Sequence, residues 1–402
     1  MQLPKVAVLC AIPGLGGAEI SLLELVGRLR DRYEFHLIVP DAGPLQTQAE
    51  GLGATVWYLR WPESIASLGE TAARPGIPQL LRSANYMRPF AQRLSSLLYR
   101  ISPSLFVTNS IKAHILGAMA KRPKDVPMVW YMRDGLEQRS WSRSCLAVLS
   151  SRCDLALCIS RYVESQVRHY VSANIPTEIL YNIVDLDRFQ PGIPPAPDLH
   201  KNPEDIWYGV VGPITPLKGQ DLFLAAAEKV AHELPHASFV IAGKNPYLTQ
   251  AASGYDFSLR CRAASAVLQG RVKFLGFRDD VPGVLAALDV LVQPNRGPEG
   301  LGRSVLEAMA CGVPVVAVDK WGPSELVEHC VSGLLFPPLD TDALASHLIT
   351  LGKWPSWRKS MGEHGRGWVQ KNLPPTDLTN RFAEMVDRLI FAHAHAQERK
   401  FA

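Results

Sequence analysis

The 402-residue sequence predicts an α/β protein built from two doubly wound, Rossmann-like domains. Three observations carry that expectation. Short β-branched runs recur along the chain, most of them apolar throughout rather than alternating, as for strands buried on both faces of a parallel sheet. Helical patterns separate these runs, so strand and helix alternate twice over. A proline-rich stretch, "FQPGIPPAPDLHKNPED" (189–205), divides the series with five prolines and a glycine, the composition of a linker.

In the first half the strand candidates are "VAVLCAI" (6–12), "FHLIV" (35–39), "TVWYL" (55–59), "SLFVTNS" (104–110), "PMVWYM" (127–132) and "DLALCIS" (154–160). In the second half they are "DIWYGVVG" (205–212), "SFVIAG" (238–243), "VKFLGF" (272–277), "DVLVQP" (289–294) and "PVVAV" (314–318). The expected domains are 1–190, a linker at 191–204, and 205–372. After Pro374 and Pro375 a final helix is marked by Leu378, Phe382, Met385 and Leu389, and 375–402 is expected to pack back onto the first domain.

Composition narrows the function classes. Hydrophobic residues make up 47% and charged residues 20%, the balance of a folded globular chain. A net charge of +4 is too small to argue for nucleic acid, and no RNA-binding motif accompanies it. Seven scattered cysteines without a CxxC pair predict buried thiols in a reducing compartment and no metal centre. No apolar run approaches the roughly 18 residues of a membrane span, and the N-terminus reads as a first strand. The expected location is the cytoplasm, at the inner face of the membrane if the basic segment below binds it.

Three loops carry candidate chemistry. "PGLGGAEISLLELVGRLR" (13–30) places Gly16 and Gly17 ahead of a helix whose apolar face is Leu22, Leu25, Val26 and Leu29. Such a turn is either an anion site or a tight connection without a ligand. "GVVGPITPLKGQDLFLAAAEKV" (209–230) places Lys218 beside a helix start, where a cation is locally unfavourable. It is either a solvent-facing lysine or the partner of a bound anion. "LVQPNRGPEGLGRSVLEAMACGVPVVAV" (291–318) reads as strand, loop, helix and strand, with Gly312 and Pro314 ending a helix over about 302–311. Glu299 lies before that helix and Glu307 within it, so their carboxylates span roughly 10 Å along one edge. That span suits a ligand with hydroxyls at both ends and an anionic middle over the helix N-terminus. The amides of Gly300, Leu301 and Gly302 would meet the anion. A nucleotide sugar has this shape.

These stretches together resemble the retaining GT-B glycosyltransferases of family four. "PEGLGRSVLEAMACGVPVVA" with "GPSELVEHCVSGLLFPPLDTDALA" is similar to that family's E-x7-E signature region, and "PITPLKGQDLFLAA" to its lysine loop. "CISRYVESQV" and "LYNIVDLDRFQPG" resemble its domain-closing segment, and "GLGGAEISLLELV" its glycine loop. The resemblance implies the GT-B fold, with an acceptor-side first domain facing a nucleotide-sugar-binding second domain across a cleft. It implies that Glu307 binds the ribose hydroxyls, Glu299 the sugar hydroxyls, and Gly300 to Gly302 the sugar and β-phosphate. Lys218 would neutralise the leaving diphosphate, and Gly16 and Gly17 would close over the phosphates. On this basis Lys218 and Glu299 are the expected catalytic residues of a metal-independent hexosyltransferase of polysaccharide biosynthesis. Its substrate would be a UDP-sugar or GDP-sugar, its acceptor a glycan or lipid-linked sugar, and it would need no cofactor.

Two departures stand out. Pro213 occupies the place of the family's lysine-loop arginine, leaving Arg303, Arg278 or Lys244 to supply a second cation, Arg303 first because it opens the helix. Arg133, followed by Asp134, occupies the place of a histidine; the two are the acceptor-side candidates, with Arg133 serving an anionic acceptor or the donor, or else an ion pair near Asp134. A catalytically weak GT-B protein that binds nucleotide sugar or glycan without turnover is the alternative these departures motivate. Lastly, no acidic residue lies between Glu70 and Asp125, while nine Lys and Arg do. The segment 74–101 is expected either to bind an anionic membrane surface or to pack in the core with a solvated basic face, and Pro89 predicts two shorter helices or a kink.

Overall fold

The computed structural model describes residues 2–61, 77–245 and 250–401, with side chains over 2–61, 87–245 and 254–395. The chain divides into two compact units: Met1–Ile183 with Pro375–Ala402, and Val184–Pro374.

The first unit holds a seven-stranded parallel sheet of β1 (Lys5–Leu9), β2 (Glu34–Val39), β3 (Thr55–Tyr58), β4 (Leu105–Thr108), β5 (Met128–Met132), β6 (Leu155–Cys158) and β7 (Thr177–Ile179). Its order is β3-β2-β1-β4-β5-β6-β7. The winding therefore reverses between β1 and β4, where ligand crevices form at the carboxyl ends of strands. Central strands are apolar on both faces because helices cover both: every residue of β4, β5 and β6 is buried. The helices are α1 (Gly17–Leu29), α2 (Pro44–Gly51), α3 (Ile77–Ile101), α4 (Ile111–Met119), α5 (Ser140–Leu149) and α6 (Arg161–Tyr170). Ser110 and Ser160 cap α4 and α6, their hydroxyls accepting from the amides of Ala113 and Val163.

Helix α3 runs unbroken through Pro89, where two shorter helices or a kink were expected. Phe90, Leu94, Leu98 and Ile101 are buried on its inner face. Burying four such side chains contributes about 6 kcal/mol or more, against about 3 kcal/mol for an interior proline. The apolar face of the described part thus packs in the core, while Arg88, Arg93 and Arg100 stay exposed. Residues 74–76 of the basic segment, and the side chain of Arg82, lie outside the described residues. Among the described residues no helix is long and apolar enough to cross a membrane.

The second unit holds a six-stranded parallel sheet of β8 (Ile206–Val211), β9 (Ala237–Ala242), β10 (Val272–Gly276), β11 (Val290–Gln293), β12 (Val315–Val318) and β13 (Gly333–Phe336), in the order β10-β9-β8-β11-β12-β13. Around it lie α7 (Gln220–Glu233), α8 (Gln250–Ala263), α9 (Val281–Ala287), α10 (Arg303–Ala310), α11 (Pro323–Leu326), α12 (Thr341–Lys353) and α13 (Pro355–Asn372). The winding reverses between β8 and β11, whose following loops carry Lys218 and Glu299.

The terminal helix α14 (Pro375–Phe401) belongs to the first unit. It buries Leu378, Phe382, Met385 and Val386, and Tyr33 donates its hydroxyl to the Ala383 carbonyl at 3.0 Å and to Asp387 at 2.6 Å. The boundary falls after Ile183 rather than after residue 190, because the expected linker is packed. Val184, Phe189, Ala196 and Leu199 are buried, the Ala196 amide bonds the Gly283 carbonyl at 3.1 Å, and Arg366 donates to the Phe189 carbonyl at 2.7 Å. Prolines here shape a strap on the second unit. The thiols also differ from expectation: all seven are unbridged, but Cys261 and Cys330 are exposed.

Candidate active site

In the second unit, two loops from neighbouring strands are locked together. After β8 a short 3-10 turn, Pro216–Lys218, ends at Gly219, whose φ of 72° opens α7. The Leu217 carbonyl accepts from the amides of Arg296 and Gly297 at 2.9 and 3.2 Å. A Cβ at Gly219 would overlap the Pro294 carbonyl oxygen, so only glycine permits this approach. The lock brings Lys218 Nζ onto Glu299 Oε2 in an ion pair. Asn295 Nδ2 donates to the same oxygen at 3.2 Å, and the Gly322 amide donates to the Glu299 carbonyl at 3.0 Å. Asn295 is only 2% exposed, and its Oδ1 has no hydrogen-bond partner among the described residues.

Gly302, with φ 93°, opens α10. Its carbonyl accepts from the amides of Val305 and Leu306 at 3.0 and 3.3 Å, which closes the first turn. Val305 and Leu306 are fully buried and anchor the helix. One turn in, Arg303 Nε donates to Glu307 Oε1 at 2.6 Å, with the two side chains 11% and 9% exposed. Burial raises the Glu307 carboxyl above its ordinary range, and the Arg303 charge opposes that shift. The cations considered as replacements for the missing arginine are therefore engaged within the chain. Arg303 holds Glu307, Arg278 bridges Asp198 and Asp280, and Lys244 sits 4.8 Å over the Phe277 ring. Pro213 offers only its carbonyl, which accepts from Gln220 Nε2 at 2.8 Å.

The first unit gathers a second polar cluster at the carboxyl ends of β1, β4 and β5. Arg133 is 7% exposed and donates Nε to Asn109 Oδ1 and Nη1 to Asn182 Oδ1, each at 2.9 Å. Its guanidinium lies 3.7 Å over the Tyr131 ring. Glu19, 4% exposed, accepts from the Gly16 amide at 3.2 Å, so that amide already has a partner within the chain. Burial raises the Glu19 carboxyl, the Arg133 charge lowers it, and nearby Asp134 raises it again. His114, fully buried beside Thr108 and Trp130, is pushed down to about 3 by burial first and by Arg133 second, and stays neutral.

The sequence did not single out Asn109, Asn182, Asn295 or Glu19 as functional. A signal was present for three of them: Asn109, Asn182 and Asn295 each follow a strand by one to three residues, on the ligand-bearing edge of a parallel sheet. The described residues contain one group able to hold a metal, Glu204, Asp205 and His236. It lies at the amino ends of β8 and β9, the opposite edge from Lys218 and Glu299.

Two doubly wound units with their charged loops at strand carboxyl ends define the GT-B fold, which is also that of a solved structure of Anabaena HepE in complex with UDP-glucose. The two chains are 24% identical, and the superposition covers 96% of this chain and 100% of the other at a TM-score of 0.76. Residues 15–188 match the family model Glycosyltransferase Family 4, and residues 196–368 the model Glycosyl transferases group 1. The chain is a GT-B glycosyltransferase of the family-four-like kind. Among similar curated proteins is the Escherichia coli UDP-Gal:α-D-GlcNAc-diphosphoundecaprenol α-1,3-galactosyltransferase, 24% identical over 364 residues, 86% of this chain and 87% of that one. Another is the GDP-mannose-dependent α-(1-6)-phosphatidylinositol monomannoside mannosyltransferase of Mycobacterium tuberculosis, 30% identical over 256 residues. That match covers 61% of this chain and 64% of the relative, just under two thirds of its length.

Proposed function

We propose that the protein transfers a hexosyl group from a UDP-sugar or GDP-sugar to a glycan or lipid-linked acceptor, with retention of configuration and without a metal. The observation that carries this is the lysine ion-paired with Glu299 directly ahead of the N-terminus of α10, with Glu307 one turn into that helix. A diphosphate placed there meets Lys218 and the amides of Gly300, Leu301 and Gly302. The sugar lies toward Glu299 and the ribose toward Glu307. The acceptor oxygen bonds to the anomeric carbon as the carbon–phosphate oxygen bond breaks. Its proton passes to the departing phosphate oxygen, and the electron pair leaves with the nucleoside diphosphate. Lys218 and oriented amides stabilise the charge that develops on that oxygen. Within the first unit, Arg133 and Asp134 are the candidates for the acceptor side. The named activities of the Escherichia coli and Mycobacterium relatives support lipid-linked acceptors and both donor bases.

The test is a thermal-shift panel of nucleotide sugars followed by turnover in EDTA. A ligand at 100 times its Kd stabilises by about 2.7 kcal/mol. Slow hydrolysis of one donor without acceptor, undiminished by EDTA, is the expected result. Tight binding with no nucleoside diphosphate released under any acceptor would instead mark a binding protein without turnover. A panel with no shift would sink both readings.

Exposed Arg88 and Arg93 on α3 support electrostatic docking on anionic lipid at the cytoplasmic membrane face. Each basic residue near such a surface contributes about 1 kcal/mol. Arg88→Gln/Arg93→Gln is expected to weaken binding to phosphatidylglycerol vesicles about tenfold or more. Equal partitioning of variant and wild type would exclude this face.

A further inference from the structure

Lys218 and Arg303 are both paired with a glutamate of the same site, but the two pairs are built differently. The Lys218–Glu299 pair joins separate loops, and its side chains are 28% and 16% exposed. The Arg303–Glu307 pair lies within α10 at i,i+4 spacing, with exposures of 11% and 9%. Residues Val305, Leu306 and Ala308 to Ala310 are all buried, and any shift of α10 carries both members of its own pair together. Arg303 also sits in the first turn, where a cation opposes the helix dipole unless a neighbouring carboxylate offsets it.

We infer that Arg303 is a positioning residue for Glu307: it holds that side chain as an ionised, oriented acceptor for the donor's ribose diol, and Lys218 alone is the side chain that neutralises the diphosphate. This rests on the donor placement proposed above. The reason is chemical. An ionised carboxylate is acceptor-only and can take a hydrogen bond from each of two vicinal hydroxyls. Once protonated, it must donate at one oxygen and loses one of those bonds. Glu307 is buried, and burial favours the protonated form. The groups facing it are Arg303 on its own helix, Arg188 from the strap before β8, and Cys311 at the end of α10, with Arg366 beyond Cys311. The Cys311 thiol is pushed up to about 12, by burial first and by Glu307 second, so it stays neutral and offers Glu307 no charge. If Arg303 turned to the diphosphate, Glu307 would be left buried without its nearest cation.

This role for Arg303 carries a pH signature. Loss of Arg303 raises the Glu307 pKa further, so binding that needs the ionised form is present above that pKa and lost as pH falls through it. Donor Kd is measured by calorimetry from about pH 6 to about pH 8.5, a range that reaches the pKa values found for buried glutamates. Wild type should be flat. Arg303→Met should weaken about tenfold per pH unit below its Glu307 pKa and approach wild type at the alkaline end. Arg303→Lys should restore the flat profile, and Glu307→Gln should be weak at every pH. Parallel losses for Arg303→Met at all pH values, or no loss, would overturn the role assigned to Arg303. A wild type that binds no nucleotide sugar would instead overturn the donor placement itself. The lysine variant, with thermal melting as a fold check, keeps the outcome readable if Arg303→Met folds poorly.

Discussion

Lys218→Ala is expected to lower kcat for sugar transfer by about 10²–10³-fold while changing donor KM far less. Among the described residues the lysine is the cation ion-paired with Glu299 ahead of α10, and Pro213 supplies no second charge from its own loop. The charge on the departing diphosphate grows as the anomeric bond breaks, so Lys218 contributes more in the transition state than in the bound ground state. The variant also leaves Glu299 with Asn295 as its remaining side-chain donor, at 3.2 Å. That turns a neutral pair into a carboxylate facing an anionic ligand. Steady-state release of nucleoside diphosphate measures the effect. Arg303→Met, assayed at the alkaline end where Glu307 is ionised, serves as the comparison, since a similar fall in its kcat would mean that Arg303 shares the phosphate. A kcat for Lys218→Ala within about threefold of wild type would remove the lysine from the chemistry.

The second large effect concerns the joint that delivers Lys218. Gly219→Ala places a Cβ at φ 72° and against the Pro294 carbonyl. The left-handed backbone costs about 1–2 kcal/mol, and relieving the overlap about 1–3 kcal/mol more. For a unit of this size the sum lowers Tm by about 5–15 °C. Activity should fall beyond what stability explains, because the same displacement opens the Leu217 bonds to Arg296 and Gly297 and moves Lys218 off Glu299. Gly254→Ala in α8 is the control: a Cβ there meets nothing within 4 Å. Helix propensity makes that change stabilising by about 0.5–1 kcal/mol. Equal melting temperatures for the two variants would show that the joint is not tight.

The parallel sheets were legible because strands covered on both faces must be apolar at every position, as "LALC" and "VVAV" are. Two strands were not. β7 is three residues, "TEI", with polar Glu178 at its centre. β13, "GLLF", opens on Gly333, where a Cβ would overlap the Val315 carbonyl. The order of Glu299, the α10 N-terminus and Glu307 was also legible, since helix rise fixes it. The pairing of charges was less so. That Lys218 meets Glu299 depends on the backbone bonds from Arg296 and Gly297 to Leu217, between loops far apart in the chain, which no local spacing encodes. Arg303 and Glu307 are a different case. Their i,i+4 spacing was visible, yet what assigns the arginine to the glutamate is burial, which only the packed helix shows.

Helix α14 has a consequence for how the chain is made. The first unit takes its last helix from the end of the sequence, while the second unit is contiguous from Val184 to Pro374. On a ribosome adding about 5–20 residues per second, Ile183 precedes Pro375 by about 10–40 s. Throughout that interval the partners of Leu378, Phe382 and Met385 are uncovered, and the hydroxyl of Tyr33 waits for Ala383 and Asp387. The unit synthesised first is the one completed last.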